Sequence, residues 1–237
     1  MNKSEIDIKF NFYSDSNGKD PDSASPTLRR YHKLLWSKIL PNGYNLNLKE
    51  DVPRTYLFHH TDIGKFYLGS DAITHSYKNH TRKAHIVKQI PKDVDELYDK
   101  GSRIGGYILF PNNRIDKKHT INQARGVNRL IDDRFDLTLE CIRRYYLDKP
   151  SPLYDTIKRY SDFFNLFQDF IGYVNFFLLN DLIDEEQNIR FFLPFDDFRS
   201  PPKINSTDDY LNYKNKVIAF IKNRNERILD YSKTMWK

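Results

Sequence analysis

Three groups of residues in this 237-residue chain bear side chains able to do chemistry. The first is a histidine cluster: five of the seven histidines, His59, His60, His75, His80 and His85, fall within 27 residues. Imidazole changes charge near neutral pH and binds transition metals, so such a cluster points to proton transfer or to a metal. Two features oppose the metal. His59 and His60 are neighbours in a strand-like segment, where successive side chains point to opposite faces. The spacing His75-x4-His80-x4-His85 fits neither a HExxH helix nor a finger. The expectation is no bound metal, with His60 as a general base beside Asp62.

The second group surrounds residues 119–129. Thr120 and Gln123 match a capping box, so Asn122 and Arg125 leave a helix start where unsatisfied N–H groups attract anions. Arg114, Lys117 and Lys118 precede it, and phosphate or carboxylate is the guest such a place would take. Glu140, farther along, is a second acid–base candidate. The competing reading is that Thr120 and Gln123 only cap, while Arg125 and Arg129 form surface ion pairs. The third group is an acid-free run, residues 72–92, holding Lys78, Arg82, Lys83, Lys88 and Lys92. It reads either as a polyanion site or as a solvated face.

These residues need elements to hold them. A period near 100° per residue aligns Val127, Leu130, Ile131, Phe135, Thr138, Cys141, Ile142 and Tyr145, and predicts one helix over residues 121–147. Arg134 falls inside that apolar stripe. Breaking a buried ion pair costs roughly 3–5 kcal/mol, so a carboxylate from another element must meet it; Asp181 is the expected partner, in a structural role. Asp136, Glu140, Arg143 and Arg144 are expected to form an exposed ion-pair ladder.

Alternation predicts strands over residues 5–12, 44–49 and 56–60, with another over 103–110 ended by Pro111. Ser25 and Pro26 start a helix over 27–40, residues 70–76 suggest a short helix, and 92–100 suggest one closed by Gly101. Ser151 and Pro152 start a helix through an aromatic block, with a kink at Gly172. A strand over 189–195 and a final helix from Ser206 and Asp209 to about Lys233 complete the chain. The sum is α+β in one domain: a mixed sheet with short helices over residues 1–111, and a mainly helical part over 112–237 packed on it.

Composition narrows the classes. The formal net charge is +6, but residues 1–131 hold 22 Lys/Arg against 14 Asp/Glu, residues 132–198 hold 7 against 14, and residues 199–237 hold 9 against 4. The single Cys141 excludes a disulfide framework and suits a reducing compartment. With no apolar leader and no uninterrupted apolar span, a soluble cytoplasmic protein without a membrane partner is expected. No P-loop, GxSxG, GxGxxG or kinase-like set occurs, so no cofactor is expected.

The blocks SPTLRRYHKLLWSK, LGSDAITHSYKNH, TINQARG, DRFDLTLECIRRYY and FFLPFDDF resemble those of a family of uncharacterised bacterial proteins with a placeholder domain-of-unknown-function name. The resemblance runs over nearly the whole chain. It implies one domain in a bacterial cytoplasm, and it brings no activity or catalytic residue. The leading expectation is a polyanion-binding protein, with RNA or DNA held by Lys78, Arg82, Lys83 and Lys88, acting in a stress or defence system. Its rival is a small-molecule enzyme holding a phosphorylated ligand at Thr120, Asn122, Gln123 and Arg125, with His60 or Glu140 as acid or base. A third reading is a non-enzymatic oligomer or interaction protein, and the oligomeric state is left open.

Overall fold

The computed structural model describes residues 6–50, 57–201 and 203–234. Local signals place several elements where the sequence puts them. Ser25 accepts from the Leu28 amide and Pro26 occupies the first turn of a helix, Pro26–Trp36, which buries Leu28, Tyr31 and Leu35. It is α2, after the single turn α1 (Pro21–Ala24). α4 (Pro91–Gly101) follows the small α3 (Ala84–Val87). The last helix, α10 (Thr207–Thr234), starts on a reciprocal cap between Ser206 and Asp209, each backbone N–H reaching the other's side chain at 3.0 Å.

The sheet is antiparallel rather than mixed, with order β1 (Leu57–Thr61), β2 (Gly64–Ala72), β3 (Tyr107–Pro111). Residues 70–72, expected in a short helix, end β2 instead: Ser70, Asp71 and Ala72 pair with Leu109, Ile108 and Tyr107. Every residue of β3 is buried, as a continuous apolar run requires. Tyr56, expected in the first of these strands, and Glu5 lie outside the described residues. Residues 6–12 form turns rather than a strand. Asp7 Oδ1 accepts from the Lys9 amide at 2.8 Å and Asn11 Oδ1 from Tyr13 at 2.9 Å, side-chain bonds that curl the backbone. Residues 44–49 contribute isolated bridges at Asn45 and Lys49, and 189–195 only a bridge at Ile189.

The expected helix over 121–147 is two helices, α5 (Ile121–Val127) and α6 (Phe135–Tyr146). Asp132 and Asp133 break it with φ of 49° and 57°. The aromatic block likewise divides into α7 (Tyr154–Lys158), α8 (Ser161–Asn165) and α9 (Phe170–Phe176), with Gly172 inside α9 rather than at a kink. Its rings pack edge to face, Phe163 on Phe167 at 5.2 Å and Phe167 on Tyr173 at 5.2 Å. Buried apolar residues from both halves form one core cluster. α10 closes it by packing on α4 and on the turn Ile104–Gly106. The approach is close enough that a Cβ on Gly105 would lie 2.7 Å from the Ile221 carbonyl oxygen. Among the described residues, no helix is long and apolar enough to cross a membrane.

Arg134 is 1 % exposed, as its place in the stripe implies, but it stands just before α6 and grips Asp136 with two N–H groups. Asp181 instead pairs with Arg227 at 3.0 Å. Asp136 also accepts from the Phe192 amide at 2.9 Å, so the pair ties the helix start to the 189–195 segment. Arg134→Met should therefore lower stability by roughly 3–5 kcal/mol, the cost of a buried charge left without its partner. A denaturation midpoint equal to wild type would refute the pair's structural role.

A second prediction concerns acid. His32 is fully buried; Trp36 Nε1 donates to its Nδ1 at 3.0 Å, so the ring proton sits on Nε2 and is donated to Ser70 Oγ at 2.9 Å. Burial, and then the Arg224 charge, hold its pKa at about 3 against an ordinary 6.5. The unfolded chain thus binds a proton here that the folded chain refuses. Stability is retained above pH 6.5 and should fall by about 1.4 kcal/mol per pH unit from 6.5 toward 3. His32→Gln should flatten that part of the stability–pH curve measured by denaturant titration.

Candidate functional site

A cleft of about 290 Å³ opens between α1, the 73–80 segment and α4, lined among others by Asp20, Asp22, His75, Lys78, His80 and Tyr98. Asp20 caps α1, its Oδ1 accepting from the Asp22 amide at 3.1 Å, with Pro21 in the first turn. That turn packs on β2 and brings Asp22 beside Ser70 and Asp71. Asp22 Oδ1 is out of contact with solvent and has no hydrogen-bond partner among the described residues. The other link is ordered: Ser70 Oγ accepts from His32 and so gives its own proton to Asp22. Trp36, His32, Ser70 and Asp22 form a chain of donors running one way into the cleft wall.

Behind Asp22 stands Arg125, 0 % exposed. Its guanidinium contacts Asp71, and it donates to Thr138 Oγ1 at 3.0 Å and to the carbonyls of Ala72 and Asp133 at 3.2 Å each. Burial pushes Asp71 up to about 7 against the pull of that guanidinium. Burial also lifts Asp22 well above the usual carboxylate range, and the charges of Asp71 and Asp20 add to it. Asp71 keeps the direct contact with Arg125, and Asp22 has no such contact. The result is a carboxyl group in the wall of a cleft whose surroundings favour the neutral form.

The 73–80 segment brings imidazoles to the same cleft. Burial lowers the His75 pKa, so its ring is neutral, and the His80 ring stands across it at 5.7 Å and 79°. His80 Nδ1 is buried with no hydrogen-bond partner among the described residues. Both rings meet the edge of Tyr77, whose backbone lies at a φ of 58°, a strained value for an aromatic residue. Tyr13 and Tyr98 stack at 4.6 Å, and Lys78 Nζ lies 4.7 Å from the Tyr98 ring centre while pairing with Asp95 at 2.8 Å. An acid, two imidazoles and a stacked tyrosine pair line one cleft, able to hold a small polar compound and to pass protons to and from it.

Sequence-based candidates distribute differently. None of His60, Asn122, Arg125 and Glu140 lines this cleft. His60 is exposed on β1 opposite Lys65, while His59 turns inward and is held by Asn47 and by Thr61 Oγ1 at 2.8 Å. Thr120 and Gln123 do form the capping box, at 3.3 and 3.4 Å, and Asn122 is exposed. Arg125 points inward from a helix of only seven residues, so the expected gathering of donors at that helix start does not occur. Glu140 is 2 % exposed and grips Arg143 at 2.8 Å and Arg144 at 2.7 Å, so the ladder is sunk into the protein rather than solvated. Of the basic run, Arg82 and Lys88 are exposed, but Lys83 is buried, donating to the Ile204 carbonyl at 3.0 Å and lying 3.4 Å from Asp132. Its amine is spent internally. Among the described residues no three His, Cys, Asp or Glu side chains gather as a metal site.

Asp20 and Asp22 carry no motif that marks a site in the sequence. The Asp20-Pro21 pair was the available signal, since Pro in a first turn after Asp marks a capped helix start. A model described as a family of unknown function (DUF6994) matches residues 6–228, and the chain belongs to that family. No curated protein and no solved structure matches it.

The protonation of Asp22 is directly measurable. Infrared difference spectra of wild type against Asp22→Asn at pH 7 should contain the carbonyl band of a protonated carboxyl group, lost in the variant. A difference showing only ionised-carboxylate bands would place the proton elsewhere.

Proposed function

We propose that this member of the family is a small-molecule enzyme of the acid–base type, working in the cleft between α1 and the 73–80 segment. The observation that carries the reading is Asp22: a carboxyl group with one oxygen left unpartnered, beside an ion pair that already uses the available guanidinium. Such an arrangement is costly for stability alone and suits a proton donor. His75 lines the same cleft as a neutral acceptor, His80 adds a second imidazole, and the stacked rings of Tyr13 and Tyr98 line it as well. The cleft lining sets Asp20 and Asp22 against one cation, Lys78, already paired with Asp95, which favours an uncharged hydroxyl- or amide-bearing ring over a phosphorylated ligand. The buried thiol Cys141, whose pKa burial pushes up to about 12, fits a cytoplasmic setting and no catalytic use.

A nucleic-acid reading keeps one observation: of the four side chains expected to hold phosphate, Arg82 and Lys88 are exposed and make no ion pair among the described residues, whereas Lys78 and Lys83 meet Asp95 and Asp132. Two such contacts would give a log–log salt slope of only about 2, against the steeper slope of a dedicated phosphate track.

Both are tested together. A thermal-shift screen of neutral sugars, nucleosides and amides should return ligands whose affinity weakens at least about tenfold, or 1.4 kcal/mol, in both His80→Ala and Tyr98→Ala. Ligands that bind these variants as they bind wild type, or salt-dependent retention of RNA or DNA with a slope well above 2, would overturn the cleft assignment.

A further inference from the structure

A second groove, of about 740 Å³ and sharing no lining residue with the cleft, runs between residues 37–45, α9 and the C-terminal end of α10. Ile39, Leu40, Pro41, Phe176 and Tyr231 give it apolar walls, and Asn45 and Asn175 add amide groups. Ile39 is 70 % exposed there, a large aliphatic side chain left to the solvent at the lip. The groove also contains Lys38, whose Nζ donates to the Phe176 carbonyl at 2.6 Å. The rings of Tyr231, Phe176 and Trp36 have their centres 4.4, 4.5 and 5.0 Å from that nitrogen.

No carboxylate meets Lys38 among the described residues; its charged neighbour is the Arg224 guanidinium of α10, and Tyr231 is the titratable group facing it from the same helix. Arg224 itself is held by carbonyls, those of Phe177, Gly105 and Tyr107 at 2.8–3.3 Å. Two cations thus share one apolar region without an acid between them. An amine desolvated among rings and next to another cation is the arrangement that activates a lysine as a nucleophile.

We propose that Lys38 is a reactive amine that forms an imine with a carbonyl-bearing molecule seated in this groove. The free amine attacks the carbonyl carbon, and a C–N bond forms. Both amine protons leave with the carbonyl oxygen as one molecule of water, and the C=N bond replaces C=O. No oxidant or reductant is needed, and hydrolysis reverses the step. The aromatic groove walls suit an aldehyde or ketone with an apolar body. Ring faces favour the ammonium form. Burial, followed by the Arg224 charge, works against it and holds the Lys38 pKa at about 7 rather than 10.5. At pH 7 about half of Lys38 is then free amine, roughly a thousandfold more than an ordinary lysine offers.

The test is brief exposure of the full-length protein to benzaldehyde and cyanoborohydride at pH 7, followed by peptide mass mapping. Lys38 should carry the trapped benzyl group at least about tenfold faster than the average of the other lysines, with half-maximal rate near pH 7. Asp22→Asn should label equally fast, which separates this site from the cleft, and Lys38→Arg should remove the fast event. Labelling of Lys38 at or below the average rate at pH 7 would mean a caged ammonium ion and would overturn the proposal, with no variant required.

Discussion

The buried Arg125 guanidinium is the joint on which the middle of this protein turns. It reaches β2 through Asp71 and Ala72, the 128–134 turn through the Asp133 carbonyl, and α6 through Thr138. Removing such a group from water costs several kcal/mol, and only a full set of partners offsets that. Those partners cannot be supplied by a continuous helix. A straight α5–α6 would carry Asp133 two turns beyond Arg125 along the axis, so the chain folds back through left-handed Asp132 and Asp133 and delivers the carbonyl instead. The helix break satisfies the arginine, and the sheet end is fastened to the helices by the same contact.

That joint also sets the proton inventory of the cleft. Two buried carboxyls, Asp22 and Asp71, compete for one guanidinium, and geometry awards it to Asp71. That leaves the Asp22 carboxyl without a cation in contact and favours its neutral form. On the other side of the core the imbalance has the opposite sign: Arg224 has carbonyl partners, and burial, followed by its field, presses down both His32 and Lys38. His32 belongs to both regions, because it stays neutral under Arg224 and, being neutral, can point its Nε2 proton through Ser70 toward Asp22. Burial and charge imbalance in one core thus raise the pKa of an acid in one place and lower that of an amine in another.

What could be read in the sequence is what local chemistry decides. The starts of α2, α5 and α10 announce themselves by Ser25-Pro26, Thr120 with Gln123, and Ser206 with Asp209, because a cap and its amide lie within one turn. β3 is legible as an unbroken apolar run. Residues 6–12 mislead, since their alternating hydrophobics imitate a strand while Asp7 and Asn11 bond their own backbone. Arg134 is the instructive half-success: the stripe correctly buries it, but a helix forbids pairing at i and i+2, so Asp136 could not be considered. Only when Arg134 stands outside the helix does Asp136 come within reach. The proximity of Asp22 to Asp71, 49 positions apart, has no local signature at all.

The acid-free run 72–92 shows how a charge pattern in sequence differs from one in space. Its lysines find acids outside the run, Lys78 at Asp95 and Lys83 at Asp132, so half of the expected phosphate contacts are neutralised by tertiary structure. The same segment also loses its resemblance to a solvated loop. Tyr77 is buried with its hydroxyl on the Asp132 carbonyl at 3.1 Å, and Tyr210 and Tyr213 of α10 bond the carbonyls of Ser76 and His75 at 2.8 and 3.2 Å. A stretch fixed at so many points can hold a left-handed tyrosine, and that turn is what swings His75 and His80 round one ring and into one wall. The histidines that in sequence suggested a metal are gathered by packing, and the Asp22 carboxyl group reaches the same cleft from α1.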